Sequence, residues 1–401
     1  MSTQGNTAVH AVGPRGRMRG RDPEEEHRAS TPLELLFDLT FVVAVSQAAT
    51  QLHHALTEGH LGAGLVGYTS VFFAIWWAWM NFTWFASAYD TDDVPYRLLT
   101  LVQMAGVLVL AAGIPQAFGD GDFSVVVVGY VLMRMAMITQ WLRAAAAHPQ
   151  GRPGALRYAA GITVVQVGWI ARLWTSGTWA PVTFLLLVVA ELAVPAWAEY
   201  RGYRTGWHPD HIAERYGLFT LIVLGEVILA SLTAVESAVS ARGLSTSVLL
   251  IALGGLLLVF ALWWMYFSGA QAALTSLRTA LTWGYGHFAV FAALAALGAG
   301  LEAAIDSAED HAHLSPQAAG LAVALPVVLF LVLLAALHRV AGIGAVSSGP
   351  LVTVGALVVL ALGFSTPVWG LGGAVLGMGL AAAATLTVNL RVLHRHTVAT
   401  G

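Results

Sequence analysis

Runs of about twenty consecutive apolar residues recur from Leu33 to the end of this chain, separated by short polar punctuation. Each run is long enough to cross a hydrocarbon core of about 30 Å as a helix. Only 10% of the residues are charged and 57% are hydrophobic, against about 25% charged in an ordinary soluble domain. A typical soluble enzyme is therefore excluded. An outer-membrane barrel would show period-two alternation, which these runs lack, so helices are the spans to expect. Some twelve segments stand out, near 33–52, 61–85, 96–118, 123–146, 155–174, 179–199, 212–233, 246–268, 281–303, 317–340, 348–366 and 369–390. The expected fold class is an all-α polytopic membrane protein of about twelve transmembrane helices.

Residues 1–29 carry Arg15, Arg17, Arg19, Arg21 and Arg28 with the acidic run Glu24 to Glu26, and lack the apolar stretch of a signal peptide. They read as a disordered cytoplasmic tail. With that tail inside, the inward loops hold Arg143, Arg152, Arg157, Arg201, Arg204, Arg278, Arg339, Arg391 and Arg395, and the outward side little beyond Arg172 and Arg242. The positive-inside rule then puts both termini of a cell-membrane protein in the cytoplasm, with an even number of spans. The outward loop at 302–313, with Glu302, Asp306, Glu309 and Asp310, is acidic.

At an offset of about 187 to 190 residues the halves share landmarks: Arg28 with Arg215, Asp38 with Glu226, Trp76-Trp77 with Trp263-Trp264, Tyr96 with Tyr285. This predicts two parallel six-helix repeats, residues 30–205 and 206–395, about an axis along the membrane normal.

The absence of cysteine removes disulfides, thiolate chemistry and Cys-ligated metals. Every basic residue is Arg, so Schiff-base and P-loop chemistry have no lysine. The net charge of −3 gives no support for nucleic-acid binding.

In the first helix, Thr31-Pro32-Leu33-Glu34 is a capping box. Asp38 lies one turn deeper on the face of Glu34, where an ionisable group is a functional candidate unless an Arg such as Arg28 pairs with it. The seventh helix begins His208-Pro209-Asp210-His211, with Asp210 as the expected N-cap. Arg215 and Glu226 share one of its faces, but a rise of about 16 Å keeps them apart. His208, His211 and Glu214 have only a weak metal-ligand spacing, and no metal is expected. Arg134 and His287 are further intramembrane polar groups that suit a network with a carboxylate.

The loop Asp90-Thr91-Asp92-Asp93, followed by Arg97, has the spelling of an Asp-x-Asp-Asp element. Such carboxylates hold Mg²⁺ against a diphosphate or keep one proton as an acid; the plain reading is an exposed loop with Asp93 capping the third helix. The tryptophans suit either an interfacial belt or an aromatic cavity for a cation. His311 and His313 read as a solvated loop.

The stretches RASTPLELLFDLTFVVAVSQ (28–47) and HIAERYGLFTLIVLGE (211–226), the Asp90 to Arg97 loop, WWMYF (263–267) and Tyr285 to His287 together resemble the bacterial low temperature requirement A family. The resemblance implies a multi-pass membrane protein whose polar positions fall on Arg28, Glu34, Asp38, Asp90, Asp93, Arg97, His211, Glu214, Arg215, Glu226 and His287. It implies no established activity.

Two functional classes lead, with a sensor or scaffold as the remaining alternative. One is a secondary transporter or permeation protein for a small polar or cationic solute, binding through Glu34, Asp38, Arg134, His211, Glu214, Arg215, Glu226 and His287, with no cofactor. The other is an intramembrane enzyme acting on a lipid or isoprenoid, with Asp90, Asp92, Asp93 and Arg97 as its catalytic element and Mg²⁺ as its ion. The sequence is silent on oligomeric state.

Overall fold

A computed structural model describes residues 16, 18–22, 29–199, 205–268, 276–309, 312–340 and 349–400. The expectations on Arg15, Arg17, Glu24, Glu25, Glu26, Arg28, Arg201, Arg204, Asp310 and His311 lie outside them. Among the described residues the secondary structure is all helical: α1 (Pro32–Thr57), α2 (Leu61–Tyr89), α3 (Val94–Gly119), α4 (Ser124–Ala147), α5 (Arg152–Arg172), α6 (Trp179–Ala198), α7 (Pro209–Arg242), α8 (Thr246–Phe267), α9 (Leu277–Ala308), α10 (Pro316–Val340), α11 (Gly349–Phe364) and α12 (Thr366–Thr400). Ten are long and apolar enough to cross a membrane. α5 is diluted by Arg152, Arg157, Gln166 and Arg172. α11, at 16 residues, rises only about 24 Å. The chain is a multi-pass helical membrane protein.

Local chemistry sets the helix ends. The capping box forms, with the Glu34 backbone N–H donating to Thr31 Oγ1 at 3.3 Å and the Thr31 N–H to Glu34 Oε2 at 2.8 Å. Asp93 caps α3 through the Tyr96 N–H at 2.8 Å. The N-cap of α7 is His208 rather than Asp210, because Pro209 takes the first helical position and Asp210 falls inside the first turn. α9 runs on to Ala308, so Glu302 and Asp306 belong to a helix and not to a loop. Within α12, Gly370 breaks the helical dihedrals with φ at 69°.

Backbones approach closely where side chains vanish. A Cβ on Gly106 would meet the Gly129 carbonyl oxygen at 2.9 Å, and one on Gly129 would strike the α3 backbone at Leu110. Small residues let membrane helices pack in this way. The outer surface carries exposed Val66, Val164, Leu185, Leu186, Val189 and Leu229, as lipid contact requires.

Short connections make successive helices alternate in direction, so one end of the bundle, here the N face, gathers the starts of α1, α3, α5, α7 and α9. Residues 18–22 lie against this face: Met18 is 1% exposed, the Arg21 N–H donates to the Ala88 carbonyl at 2.9 Å, and the Gly16 N–H donates to Asp93 Oδ2 at 2.9 Å. This part of the expected disordered tail is docked. The buried Met18 and these hydrogen bonds help to secure it.

Candidate functional site

α1 and α7 run side by side from the N face, and their first turns enclose four ionisable side chains. Glu34, Asp38, His211 and Arg215 are each at most 1% exposed. The Arg215 guanidinium forks onto Asp38, Nε to Oδ2 at 3.0 Å and Nη2 to Oδ1 at 2.6 Å. Its Nη1 lies 2.9 Å from Glu34 Oε1. His211 Nε2 is 3.1 Å from the same oxygen. Trp79 of α2 donates its indole N–H to Asp38 Oδ1 at 2.7 Å. Burial of these charges is tolerable only because each oxygen has a cation or donor against it. Glu34 thus caps α1 with one oxygen and binds α7 with the other. Glu214 ties the same two helices at the surface, accepting from the Ser30 N–H at 3.2 Å.

Trp77, two residues before Trp79 on α2, serves a second buried carboxylate. Glu191 of α6 accepts from Trp77 Nε1 at 2.7 Å, Tyr130 Oη at 2.9 Å and Trp169 Nε1 at 3.2 Å. Arg134 Nη2 is 3.2 Å from Glu191 and also donates to the Tyr130 hydroxyl. Arg134 therefore has the carboxylate partner expected of it. Glu191 itself escaped the sequence reading, although a carboxylate within the apolar run of α6 is the signal that singled out Asp38.

His287 belongs to neither cluster. Its Nδ1 faces the Trp283 carbonyl at 2.8 Å and so carries the hydrogen, leaving Nε2 to accept from the Tyr266 hydroxyl at 3.0 Å. The Tyr216 ring, 5.0 Å from His287 and 4.9 Å from Trp79, stands between it and the Asp38 site.

Glu226 is half-buried, eleven residues beyond Arg215 and so about 16 Å deeper. It shares no depth with Asp38, which is level with Arg215, and the expected pairing of Asp38 with Glu226 has no geometric support. Trp76 and Trp77 are buried whereas Trp263 and Trp264 are 42% and 51% exposed, so these landmarks differ too. Glu226 instead lies on the side of Glu302 of α9. Beside them His53 of α1 bridges Glu302 at 3.4 Å and Asp306 at 2.8 Å. The layer between this group and the Arg215 cluster is apolar, with Phe41, Phe219, Val223 and Phe291 all fully buried.

The Asp90–Asp93 loop does not gather its carboxylates. Asp93 takes both oxygens to Arg143 Nη2, at 2.9 and 2.7 Å, while capping α3. Asp92 forms an exposed fork with Arg97 at 2.7 and 2.8 Å. Asp90 lies 3.8 Å from Arg21. Among the described residues no group of three His, Cys, Asp or Glu has metal-holding geometry.

The tryptophans divide between the two roles. Trp174, Trp179 and Trp369 stand 67–78% exposed at helix ends on the face opposite the N face, as interfacial anchors do. Trp76, Trp77 and Trp79 are at most 2% exposed and build the core.

The family model described as "Bacterial low temperature requirement A protein (LtrA)" matches residues 29–388. The uncharacterized protein RA0937 of Rhizobium meliloti (strain 1021) is 29% identical over 270 residues, covering 63% of this chain and 61% of that protein. No solved structure matches the chain. The match from the first cap to the last helix takes in both buried ion-pair clusters, and the chain belongs to the bacterial low temperature requirement A family.

Proposed function

We propose that this protein is a secondary transporter or permeation protein for a small polar or cationic solute, set in the cell membrane with its N face and both termini toward the cytoplasm. The observation that carries the reading is one arrangement: α1, α7 and α9 hold ionisable groups in both halves of the bundle, with a closed apolar layer between them. Charge within a membrane is costly and marks ion or solute pathways. A protein that alternates access needs polar groups toward each side and a barrier between them. Glu34, Asp38, His211 and Arg215 supply the N-face group; Glu226, Glu302, His53 and Asp306 supply the other. The barrier is apolar and largely aromatic, with Phe41, Phe219 and Phe291 beside Val223. No observation favours the enzymatic alternative, since each carboxylate of the Asp90–Asp93 loop already faces an arginine.

Protein in liposomes loaded with a pH-sensitive dye, given small amines and polar solutes one at a time across an imposed pH gradient, tests this. Saturable solute uptake or proton movement is expected for at least one solute class. Glu226→Gln abolishes it with folding retained, because neutralising a membrane-interior charge relieves desolvation. A wild type that moves neither solute nor protons, together with a Glu226→Gln protein that fails to fold, overturns the reading.

A further inference from the structure

A cavity opens near the N face among α2, α4, α5, α6 and the start of α9, with a lining that includes none of the four residues of the Arg215 cluster. It encloses about 490 Å³ of atom-free space, counting its mouth. Trp84, Trp141, Tyr158 and Trp207 line it, together with Asn81 and Glu199. Trp84 and Trp207 meet edge-on with ring centres 5.2 Å apart, and Trp141 stacks on Tyr158 at 4.2 Å. The walls are therefore braced aromatic rings.

Glu199 is the unusual member. It is 8% exposed, and its oxygens accept from the Thr205 N–H at 2.9 Å, the Tyr158 hydroxyl at 3.0 Å and the Thr205 hydroxyl. All three donors are neutral. Among the described residues no Arg or His lies within 4.0 Å of this carboxylate; Arg157, the nearest in sequence on the facing helix, places Nη1 on the Ala198 carbonyl at 3.3 Å. The buried carboxylates Glu34, Asp38, Asp93 and Glu191 each have an arginine or histidine against them. Asn81 also lines the cavity, its amide nitrogen donating to the Trp77 carbonyl at 2.7 Å.

We propose that this cavity binds a small organic cation, an alkylated ammonium, with Glu199 as its counter-charge and the aromatic rings as its walls. Ring faces attract cations, most where water is excluded. An alkylated ammonium matches the apolar walls and the single negative charge together. A hydrated metal ion matches neither, since it needs several oxygens in place of its water. The site stands whether or not the protein transports.

Calorimetric titration of the purified full-length protein in detergent, with tetramethylammonium chloride as the probe, tests it without requiring flux. Saturable binding and a raised melting temperature are expected, and neither sodium chloride at equal ionic strength nor the neutral tert-butanol reproduces them. Glu199→Gln keeps the size, removes the charge and turns one acceptor oxygen into an amide donor, and weakens binding at least tenfold. Trp207→Leu, which leaves the carboxylate in place, weakens it severalfold and decides the matter if Glu199→Gln does not fold. Equal responses to tetramethylammonium and tert-butanol, or binding unchanged in the folded variants, overturn the proposal.

Discussion

Arg215 holds two carboxylates that would otherwise face one another a turn apart on α1. Arg215→Met leaves them buried without counter-charge, and breaking a buried pair from one side costs on the order of 3–5 kcal/mol. The variant is expected to melt well below the wild type in detergent. The triple variant Glu34→Gln, Asp38→Asn, Arg215→Met removes every charge at once and recovers much of that loss. If it is no more stable than Arg215→Met alone, the arginine acts through its packing and not its charge. Trp79→Phe keeps an aromatic ring, though a smaller one, and deletes the donor to Asp38, a charged hydrogen bond of about 1.5–3 kcal/mol, with a packing loss in addition. A different residue governs the docked segment at the N face. Burial holds the His148 imidazole below its ordinary value, and its Nδ1 lies 3.1 Å from the Tyr89 hydroxyl; Gly20 sits against the ring. The neutral form is thus favoured in the folded protein, so this contribution is complete above the ordinary histidine value of about 6.5 and is lost as pH falls below it. Amide exchange at residues 18–22, corrected for its intrinsic pH dependence, is expected to rise on acidification from pH 7 to 5. His148→Gln flattens that rise.

At the scale of the helix, the apolar runs read from the sequence fall within a few residues of most observed elements, because length and hydropathy are local properties that a bilayer selects directly. The capping box at Thr31 and the cap at Asp93 were legible for the same reason. What the sequence concealed is partnership. Asp38 was recognisable as a costly charge, but nothing local says that its cation sits 177 positions away on α7, or that Trp77 and Trp79 divide two clusters between them. Arg28, the nearer candidate partner, lies outside the described residues. Glu302 and Asp306 read as a loop because charge suggests solvent, yet His53 accounts for them on a helix. Close helix contact is equally hidden, and it supports a direct test. Gly129→Val drives a branched side chain into the α3 backbone, which cannot yield as a flexible side chain would; a loss of some 2 kcal/mol or more is expected from overpacking. Gly225→Ala on α7, where a new Cβ meets nothing within 4 Å, is the control, and the better helix propensity of alanine predicts a neutral or slightly stabilising change. Equal melting of the two variants would mean that α3 and α4 do not pack through Gly129.

Taken as one molecule, the bundle separates its charges by end. Arg19, Arg21, Arg97, Arg143, Arg152, Arg157, Arg278 and Arg339 belong to segments at the N face, and Arg172 and Arg242 to the other. That opposite end is acidic, with Asp120, Asp122, Glu302, Asp306 and Glu309. Cytoplasmic loops retain arginine because translocating it is unfavourable, so this asymmetry predicts an inward N face. The buried arginines do not enter the count: Arg134 and Arg215 are neutralised within the bundle and bear no relation to loop topology. A chain without cysteine makes the prediction simple to test, because one introduced thiol is the only target for a membrane-impermeant maleimide. Asp120 and Gln150 are both exposed, on the α3–α4 and α4–α5 connections at opposite ends of the bundle. Asp120→Cys is expected to label in intact cells. Gln150→Cys is expected to label only after the membrane is opened. The reverse pattern would invert the molecule, turning the aromatic cavity around Glu199 toward the exterior and the His53 group toward the cytoplasm; labelling of both sites from outside would instead mean that α4 does not cross.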